Sequence, residues 1–430
     1  MGHRGPLEFS TSAPLLPARE NGAATKQLRV KRERIVVLIE LTEGYPGRAD
    51  GESDWESLAS LLKTPNPLFE NTLFLQGYDF SSNIYLVTGD YLSLIDPGND
   101  YTAFMELVSL GFRLPDIRKI FLTHGHIDHV MGTFELFRGY PGFKDWQVEI
   151  ILHEAGPLQF KEMAGKMGSR LKEVKGGEIL ELSGFEFEVI YTPGHTLDGL
   201  CLYHGPTRTL FSGDTVLPHA MAELDKEGGG RMDHYLYALR TLRKKEIDYI
   251  MPGHGGIVDR IGRAVVDETY EGLIKKVVGV ETPWLQGAMT LAQQGLLEEA
   301  LFYCDKELAG EPENFRALET KAFLLNDLGR QQEAITIFDK ILAHRSDHFY
   351  VLMGKGHALL GLGKYLESLA YFDQALAINP DSQEAQMYKG MGLYLAGKYD
   401  EAMDIDTFRR EFSGRLKEEL QKMSQAGKPE

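Results

Sequence analysis

Apolar and polar positions alternate through the middle of the chain, in short runs that are interrupted by turn residues. Residues 83–98, NIYLVTGDYLSLIDPG, alternate on both sides of Gly89-Asp90, which predicts a β-hairpin. Residues 118–126, RKIFLTHGH, predict a short apolar strand that runs into a loop, and 178–218 contain further short strands separated by glycine and proline. Helical stretches intervene at 101–111, 130–140 and 234–246. This order of strands and helices favours a layered α/β domain with sheet at its centre.

The first 63 residues show this pattern less clearly. Residues 1–26 contain no long apolar segment and are predicted to form a disordered tail. Within 27–63, one strand at 34–41 and a polar loop are expected. We therefore place the α/β domain at 27–280, with its core at 70–275.

The last third of the chain repeats with a period of 34 residues. Glycine recurs at Gly295, Gly329, Gly363 and Gly397, and a small residue stands seven positions before each. Each unit shows two amphipathic helical stretches around its glycine, which is expected to end the first helix in a left-handed cap. This resembles the tetratricopeptide repeat, with four copies over 281–416 and a polar capping helix and tail at 417–430. The resemblance implies binding of a protein or peptide partner, or self-association.

Composition and charge narrow the class of protein. The 430 residues suggest two or three domains, and 43% hydrophobic with 25% charged residues is typical of a soluble globular chain. No apolar run approaches the ~18–20 residues that cross a bilayer, so no membrane contact is expected. Two cysteines far apart, Cys201 and Cys304, favour a reducing cytoplasmic setting. A net charge of −17 disfavours a nucleic-acid partner.

The stretch FLTHGHIDHVMG, residues 121–132, concentrates metal-binding side chains directly after an apolar strand. Neutral imidazole and carboxylate together suit zinc, iron or manganese. The stretch contributes His124, His126, Asp128 and His129. Three further strands each end in a turn that presents one such side chain, namely His195 in YTPGHTLDG, Asp214 in LFSGDTVLP and His254 in YIMPGHGG. This shared construction predicts a metal site at one edge of a sheet.

Together these residues resemble the signature of the metallo-β-lactamase superfamily over about 70–275. The resemblance implies an αββα sandwich, in which two sheets pack face to face with helices outside, followed here by the all-α repeat solenoid. It also implies two divalent metal ions, zinc foremost, with iron or manganese as alternatives. By this resemblance His124, His126 and His195 bind the first ion, Asp128, His129 and His254 bind the second, Asp214 bridges both, and Asp96 in LIDPG supports the ligands from behind.

Such a site implies hydrolysis by a metal-bound hydroxide, without a serine or cysteine nucleophile. Asp128 is also expected to carry a proton to the leaving group. Cys201 in GLCLY has the pattern of a buried strand rather than of a nucleophile. Weaker candidates for substrate contact are Tyr191, Arg231, His234 and, with a structural role favoured, His153.

Within the superfamily, the ligand pattern is closest to hydroxyacylglutathione hydrolases (glyoxalase II) and related lactonases. Thioester, lactone or related ester hydrolysis is therefore the expected activity, while Asp214 argues against β-lactam hydrolysis. The basic and aromatic elements that hold glutathione in glyoxalase II are not recognisable, which leaves the substrate open. Three alternatives remain: a nuclease or phosphodiesterase, a mononuclear iron dioxygenase acting on persulfides, and an interaction protein that carries a relic hydrolase domain.

Overall fold

The computed structural model describes residues 54–78, 80–99, 101–139 and 147–414. Three sequence predictions lie outside these ranges: the tail at 1–26, the strand at 34–41 and the capping helix at 417–430.

Within the described residues, the strands form two sheets. The first sheet contains seven strands in chain order: β1 (Glu56–Ser57), β2 (Thr72–Leu75), β3 (Ile84–Val87), β4 (Leu92–Ile95), β5 (Ile117–Phe121), β6 (Glu149–His153) and β7 (Arg170–Val174). The second contains five: β8 (Ile179–Leu182), β9 (Phe185–Tyr191), β10 (Leu200–His204), β11 (Thr209–Gly213) and β12 (Tyr249–Pro252). The predicted hairpin is formed by antiparallel β3 and β4, whereas β4 to β7 and the pair β11 and β12 run parallel.

Seven helices accompany these strands in the described part of the chain. They are α1 (Leu58–Leu62), α2 (Pro67–Glu70), α3 (Tyr101–Ser109), α4 (Ile127–Gly139), α5 (Leu158–Lys166), α6 (Met232–Leu242) and α7 (Gly262–Val278). The predicted helices at 101–111, 130–140 and 234–246 correspond to α3, α4 and α6. Helix α4 begins earlier than predicted because the Val130 N–H already donates to the His126 carbonyl at 3.1 Å. Its first turn therefore includes Asp128 and His129.

Three apolar layers hold this part of the chain together. Between the sheets, Phe121 of β5 packs in one buried cluster with Phe187 of β9 and Phe211 of β11. The outer face of the first sheet packs against α3 and α4, and that of the second against α6 and α7. Burying each of these aromatic side chains contributes roughly 1.5–3 kcal/mol. This order of layers confirms the predicted αββα sandwich.

The C-terminal part consists of helix pairs. They are α8 (Trp284–Gln293) and α9 (Leu297–Gly310), α10 (Phe315–Asp327) and α11 (Gln331–His344), α12 (Phe349–Gly361) and α13 (Tyr365–Ile378), and α14 (Gln383–Leu395) and α15 (Tyr399–Met403). The second helices of the pairs begin 34 residues apart. The four repeat glycines have φ between 75° and 80°, the left-handed cap that the sequence predicts. The predicted tetratricopeptide solenoid is thereby confirmed, and none of the described helices is long and apolar enough to cross a bilayer.

The last pair departs from the period. Helix α15 has five residues, whereas the corresponding helices have fourteen. Asp404 and Asp406 stand where it ends, and aspartate favours turns and caps over helix interiors. A further helical stretch at 406–414 then places Phe408 against Gly390, where a Cβ would lie 2.4 Å from the Phe408 side chain.

The first repeat packs directly on helices α6 and α7 of the sandwich. Leu239 of α6 and Tyr270 of α7 share one buried cluster with Leu291 of α8 and Tyr303 of α9. The fully buried Glu299 of α9 completes the junction, because it lies 3.3 Å from Arg240 Nη1 and accepts a hydrogen bond of 3.0 Å from the Tyr270 hydroxyl. We retain 27–280 as the proposed catalytic unit, since every proposed metal ligand falls within it, but its C-terminal boundary is covered by α8 and α9.

This junction leads to a prediction for truncated chains. A chain that ends at Val280 is expected to be less stable than one that ends at Glu311, because loss of α8 and α9 exposes apolar side chains worth roughly 1.5–3 kcal/mol each. Thermal unfolding and turnover of a small substrate would test this. Equal melting temperatures of the two truncated chains would contradict the packing argument. Loss of turnover in the chain ending at Glu311, with its metal retained, would instead place later repeats in the active site.

Candidate metal centre

All seven predicted ligands converge at the edge where strands of both sheets end. The loop after β5 and the first turn of α4 contribute His124, His126, Asp128 and His129. The turns after β9, β11 and β12 contribute His195, Asp214 and His254. The three turns and the β5 loop all leave the carboxyl ends of their strands, so one edge of the sandwich collects the complete donor set.

The first group of donor atoms consists of three imidazole nitrogens. Nδ1 of His126 lies 3.0 Å from Nε2 of His124 and 3.1 Å from Nε2 of His195. Nitrogen ligands at 2.0–2.1 Å from a tetrahedral zinc ion lie about 3.3 Å apart. The triangle therefore has the size that one ion requires. Asp214 Oδ2 lies 3.7 Å from His195 Nε2, so this carboxylate is adjacent to the first group.

The second group combines two imidazoles with one carboxylate. His254 Nε2 lies 3.0 Å from Asp128 Oδ2 and 3.3 Å from His129 Nε2. Asp214 faces this group as well, because its Oδ1 lies 3.4 Å from His129 Nε2. Asp214 thus stands between the two groups, in the position of a shared ligand.

Two observations test whether these donors suit metal ions. Asp214 Oδ1 is buried and receives no hydrogen bond, a costly state for a carboxylate oxygen that a cation relieves. A Cβ on Gly253 would lie 2.3 Å from that oxygen and 2.8 Å from the His129 ring, so only glycine leaves the space free. The donor set of imidazole and carboxylate, without thiolate, fits a pair of divalent ions such as zinc, iron or manganese.

Asp96, which the family resemblance implies as a support of the ligands, lies behind His129. Its Oδ2 accepts hydrogen bonds from His129 Nδ1 at 2.8 Å and from the Thr123 hydroxyl at 2.6 Å, and its Oδ1 accepts the Thr123 N–H at 2.8 Å. The backbone of Asp96 adopts φ 48°, a left-handed conformation that residues other than glycine rarely take. These bonds fix the His129 tautomer and turn its Nε2 lone pair toward the donor group.

Two supports of the histidines were not predicted from the sequence. His126 Nε2 donates to Asp225 Oδ2 at 2.9 Å, which frees Nδ1 for the first donor group. His195 Nδ1 donates to the backbone carbonyl of Glu223. Both acceptors lie in the segment between β11 and α6, where MAELDKEGGG shows neither periodicity nor a motif. The local sequence contains no signal that identifies these two acceptors. A backbone carbonyl is present in every residue, so the residue type cannot indicate that it is an acceptor.

Burial and charge act in opposite directions on this cluster. Burial lowers the pKa of His124 well below its usual value and also lowers that of His195, which favours the neutral imidazole that metal binding requires. Burial would raise the pKa of Asp214, but the neighbouring histidines, His129 foremost, hold it far below its usual range. Burial would lower the pKa of His129, yet Asp214 and Asp96 outweigh it and raise that pKa. Asp214 and Asp96 thus favour a proton on His129, and a bound metal ion would replace that proton.

The weaker candidates occupy different surroundings. His153 is buried, accepts the Ala155 N–H at 3.0 Å, and stacks on Tyr191 with ring centres 4.4 Å apart. His153 and His124 line the same small cavity. Arg231 instead pairs with Asp233 at 2.7 Å on the surface. His234, on α6, has a buried Nδ1 without a hydrogen-bond partner.

Cys201 is expected to be dispensable for catalysis. Its side chain is fully buried in β10, its Sγ donates to the Ser212 carbonyl at 3.4 Å, and burial raises the pKa of the thiol to about 11. The thiol therefore stays protonated near neutral pH. Cys201→Ala should keep kcat within a few-fold of wild type, as should Cys304→Ala, a buried control in the repeats. An acyl group trapped on Cys201 and detected by mass spectrometry would contradict this.

Comparison with known proteins adds independent findings. The sequence model of the metallo-beta-lactamase superfamily matches residues 77–254, and a tetratricopeptide-repeat model matches 353–409. The "Probable metallo-hydrolase MJ0888" of Methanocaldococcus jannaschii is 30% identical over 199 residues, which cover 44% of this chain and 95% of that protein.

Other relatives are more distant or longer. The "Atrochrysone carboxyl ACP thioesterase AacuM" of Aspergillus aculeatus is 26% identical over 190 residues, covering 44% of this chain and 54% of the relative. The chain thus spans about half the length of this relative. Among solved structures, the metallo-beta-lactamase family protein TTHA1429 of Thermus thermophilus has 20% identity and a TM-score of 0.39, covering 56% of this chain and 94% of that one. Because the match to the archaeal metallo-hydrolase extends over nearly its whole length, the chain belongs to the metallo-beta-lactamase superfamily, with tetratricopeptide repeats following the family domain.

Proposed function

We propose that this protein is a dinuclear metal-dependent hydrolase that cleaves a thioester or a related ester. The observation that carries the proposal is the position of Asp214 between two groups of three donor atoms each. Two relatives, one named a thioesterase and one a probable metallo-hydrolase, support the reaction class. The repeats are proposed to bind a protein or peptide, or a second copy of the chain.

The residues of the centre have different roles in the proposed reaction. When bound, two divalent ions lower the pKa of a water molecule and polarise a carbonyl oxygen. Asp96, Asp225 and the Glu223 carbonyl hold three imidazoles in fixed tautomers, so the donor atoms need no rearrangement. The Asp128 side chain is 30% exposed, against 10% for Asp214. We therefore assign Asp128 to accept the proton of the attacking water and pass it to the leaving group.

Exposed apolar side chains lie beside the second donor group. Tyr78 and Phe80 stand in the loop between β2 and β3, and Phe80 is 77% exposed. The Ser82 N–H donates to the Asp128 carbonyl at 3.0 Å, which anchors this loop next to the centre. Ile127, itself 71% exposed, lies between two ligands in sequence.

A second set of exposed apolar side chains lies beside the first donor group. Leu158 is 70% exposed and follows Pro157, which packs against Gly125 between two ligand histidines. Leu197, two residues after His195, is held by a hydrogen bond of 2.9 Å from its N–H to the Gly228 carbonyl. Exposed apolar groups on both sides of a polar centre mark a binding surface. We propose that they cover an apolar acyl chain of the substrate.

A panel of substrates tests the proposed reaction. Metal-loaded protein would be assayed with acyl thioesters, lactones and phosphodiesters, and oxygen consumption would be followed with a persulfide. We expect the highest kcat/KM on a thioester or ester with an apolar acyl group. Oxygen consumption with a single iron per chain would favour the dioxygenase instead, and phosphodiester cleavage would favour a nuclease.

Replacing Phe80 tests the apolar entrance separately. Phe80→Ala should raise KM for a long-chain acyl thioester by about tenfold, equivalent to ~1.4 kcal/mol of lost contact, and leave kcat nearly unchanged. An acetyl thioester lacks the apolar chain that the ring is proposed to cover and should show unchanged kinetics. Tyr350→Ala removes another exposed aromatic ring, from the repeats, and serves as the control. A parallel loss on acetyl and long-chain substrates would argue against acyl recognition by this loop.

A further inference from the structure

A cleft of about 490 Å³ opens where α6 and α7 meet α9 of the first repeat. Four basic side chains line it: Arg240, Arg243, Lys244 and Arg263. This concentration of positive charge stands out in a chain with a net charge of −17. The volume falls in the range of ~300–1,000 Å³ that is usual for small-molecule sites.

The carboxylates around the cleft position the guanidinium groups without using all their donors. Asp267 accepts hydrogen bonds from Arg243 Nε at 2.7 Å and from Arg263 Nε at 3.0 Å. Buried Glu299 lies 3.3 Å from Arg240 Nη1. These contacts leave both terminal nitrogens of Arg243 and Nη2 of Arg240 and of Arg263 without a hydrogen bond to the described residues. The arginines are thus held in place while several N–H groups stay available.

The charge balance of the cleft is positive. Glu298 is the acidic residue of the lining, and Asp267 and Glu299 add two carboxylates behind it, against four cations. Within the described ranges, the Lys244 ammonium makes neither a hydrogen bond nor an ion pair. The Arg243 guanidinium lies 4.5 Å from the centre of the Tyr270 ring and is held by its Nε bond to Asp267. Guanidinium groups held in place, with a free ammonium nearby, match the oxygens of a phosphate group.

We propose that this cleft binds a small molecule through a diphosphate group. Its concave shape admits a compact ligand, and the exposed ring of Tyr237 at its rim offers a stacking surface for a base. A nucleoside diphosphate and coenzyme A share this chemistry. Helix α6 connects the cleft with the metal centre, because the Arg231 N–H that precedes it donates to the Gly194 carbonyl at 2.9 Å, next to His195. The ligand therefore binds against an element that also supports a metal ligand.

Calorimetric titration of the full chain with pyrophosphate, ADP and coenzyme A tests the proposal. Lys244→Glu should weaken binding by at least about tenfold. Lys172→Glu makes the same change of charge at an exposed site on β7 and should stay within about twofold of wild type. The ranking of the three probes identifies whether the base and the pantetheine arm add affinity to the diphosphate.

The metal centre is a competing site for phosphate, and removal of its ions from the full chain with a chelator separates the two. The proposal expects the metal-free wild-type protein to retain binding. Binding that is lost in the metal-free protein but kept in metal-loaded Lys244→Glu would overturn the proposal, as would equal affinities of Lys244→Glu and wild type. Absence of binding by all three probes up to about 1 mM would overturn it as well. Circular dichroism of each variant verifies that the fold is intact.

Discussion

Asp214→Ala is expected to lower the metal content from close to two ions per chain toward zero or one and to reduce turnover by orders of magnitude. Asp214 faces both donor groups, with Oδ1 3.4 Å from His129 Nε2 and Oδ2 3.7 Å from His195 Nε2. A carboxylate between two cations offsets their mutual repulsion, so its removal weakens both sites. Elemental analysis after purification without chelator, together with kcat, measures the effect.

His254→Ala is the matched comparison for this prediction. His254 belongs to the second donor group, together with Asp128 and His129, and is not part of the first donor group. Its loss should leave about one ion per chain with reduced, measurable activity. A wild-type protein that is fully active with one ion, and gains nothing from added metal, would contradict the dinuclear proposal and favour the mononuclear iron dioxygenase.

Asp225→Ala is expected to weaken metal binding and activity by about 10–100-fold, the usual effect of losing a carboxylate that orients a ligand histidine. Asp225 accepts the Nε2 proton of His126 at 2.9 Å, and that bond leaves Nδ1 as the donor atom. Without it, His126 is free to rotate or to change tautomer. Competition with a chelator measures the loss of metal affinity. Turnover at saturating metal measures the loss of activity that remains when the site is filled.

Asp233→Ala provides the control for Asp225. Asp233 lies a few residues downstream, and its carboxylate pairs with Arg231 on the surface. It should change metal affinity by less than about twofold, because surface ion pairs contribute little. An equal loss in both variants would show that the segment as a whole, rather than the bond to His126, supports the site.

A layered α/β domain and a metal site at a sheet edge were predicted from local sequence patterns, whereas the αββα order and the role of each proposed ligand came from the resemblance to the metallo-β-lactamase superfamily. His195, Asp214 and His254 each follow an apolar strand on a short turn such as Pro252-Gly253, and the other four proposed ligands lie in the stretch 124–129 after β5, so residue type and position suffice to nominate them. The hairpin at 83–98 and the 34-residue period depend on short-range signals of the same kind. Asp96 also lies at the end of its strand, but it was assigned through the resemblance of LIDPG to the family signature.

The parts that local sequence did not reveal depend on contacts between distant segments. Asp225 meets His126 across 99 residues of chain, and only the folded arrangement brings the two together. Helices α5 and α7 were not predicted at all. The junction between α6, α7 and the first repeat was missed because each surface on its own has the pattern of an ordinary buried helix face.

Buried Glu299 has a consequence for how the repeats present a bound partner. Separating α9 from α6 and α7 would expose their shared apolar cluster to water and break the contacts of Glu299 with Arg240 and Tyr270. We therefore expect the first repeat to stay docked on the sandwich instead of moving on a flexible linker. The effective concentration of a repeat-bound partner at the metal centre would then depend on this docked geometry instead of on tether length.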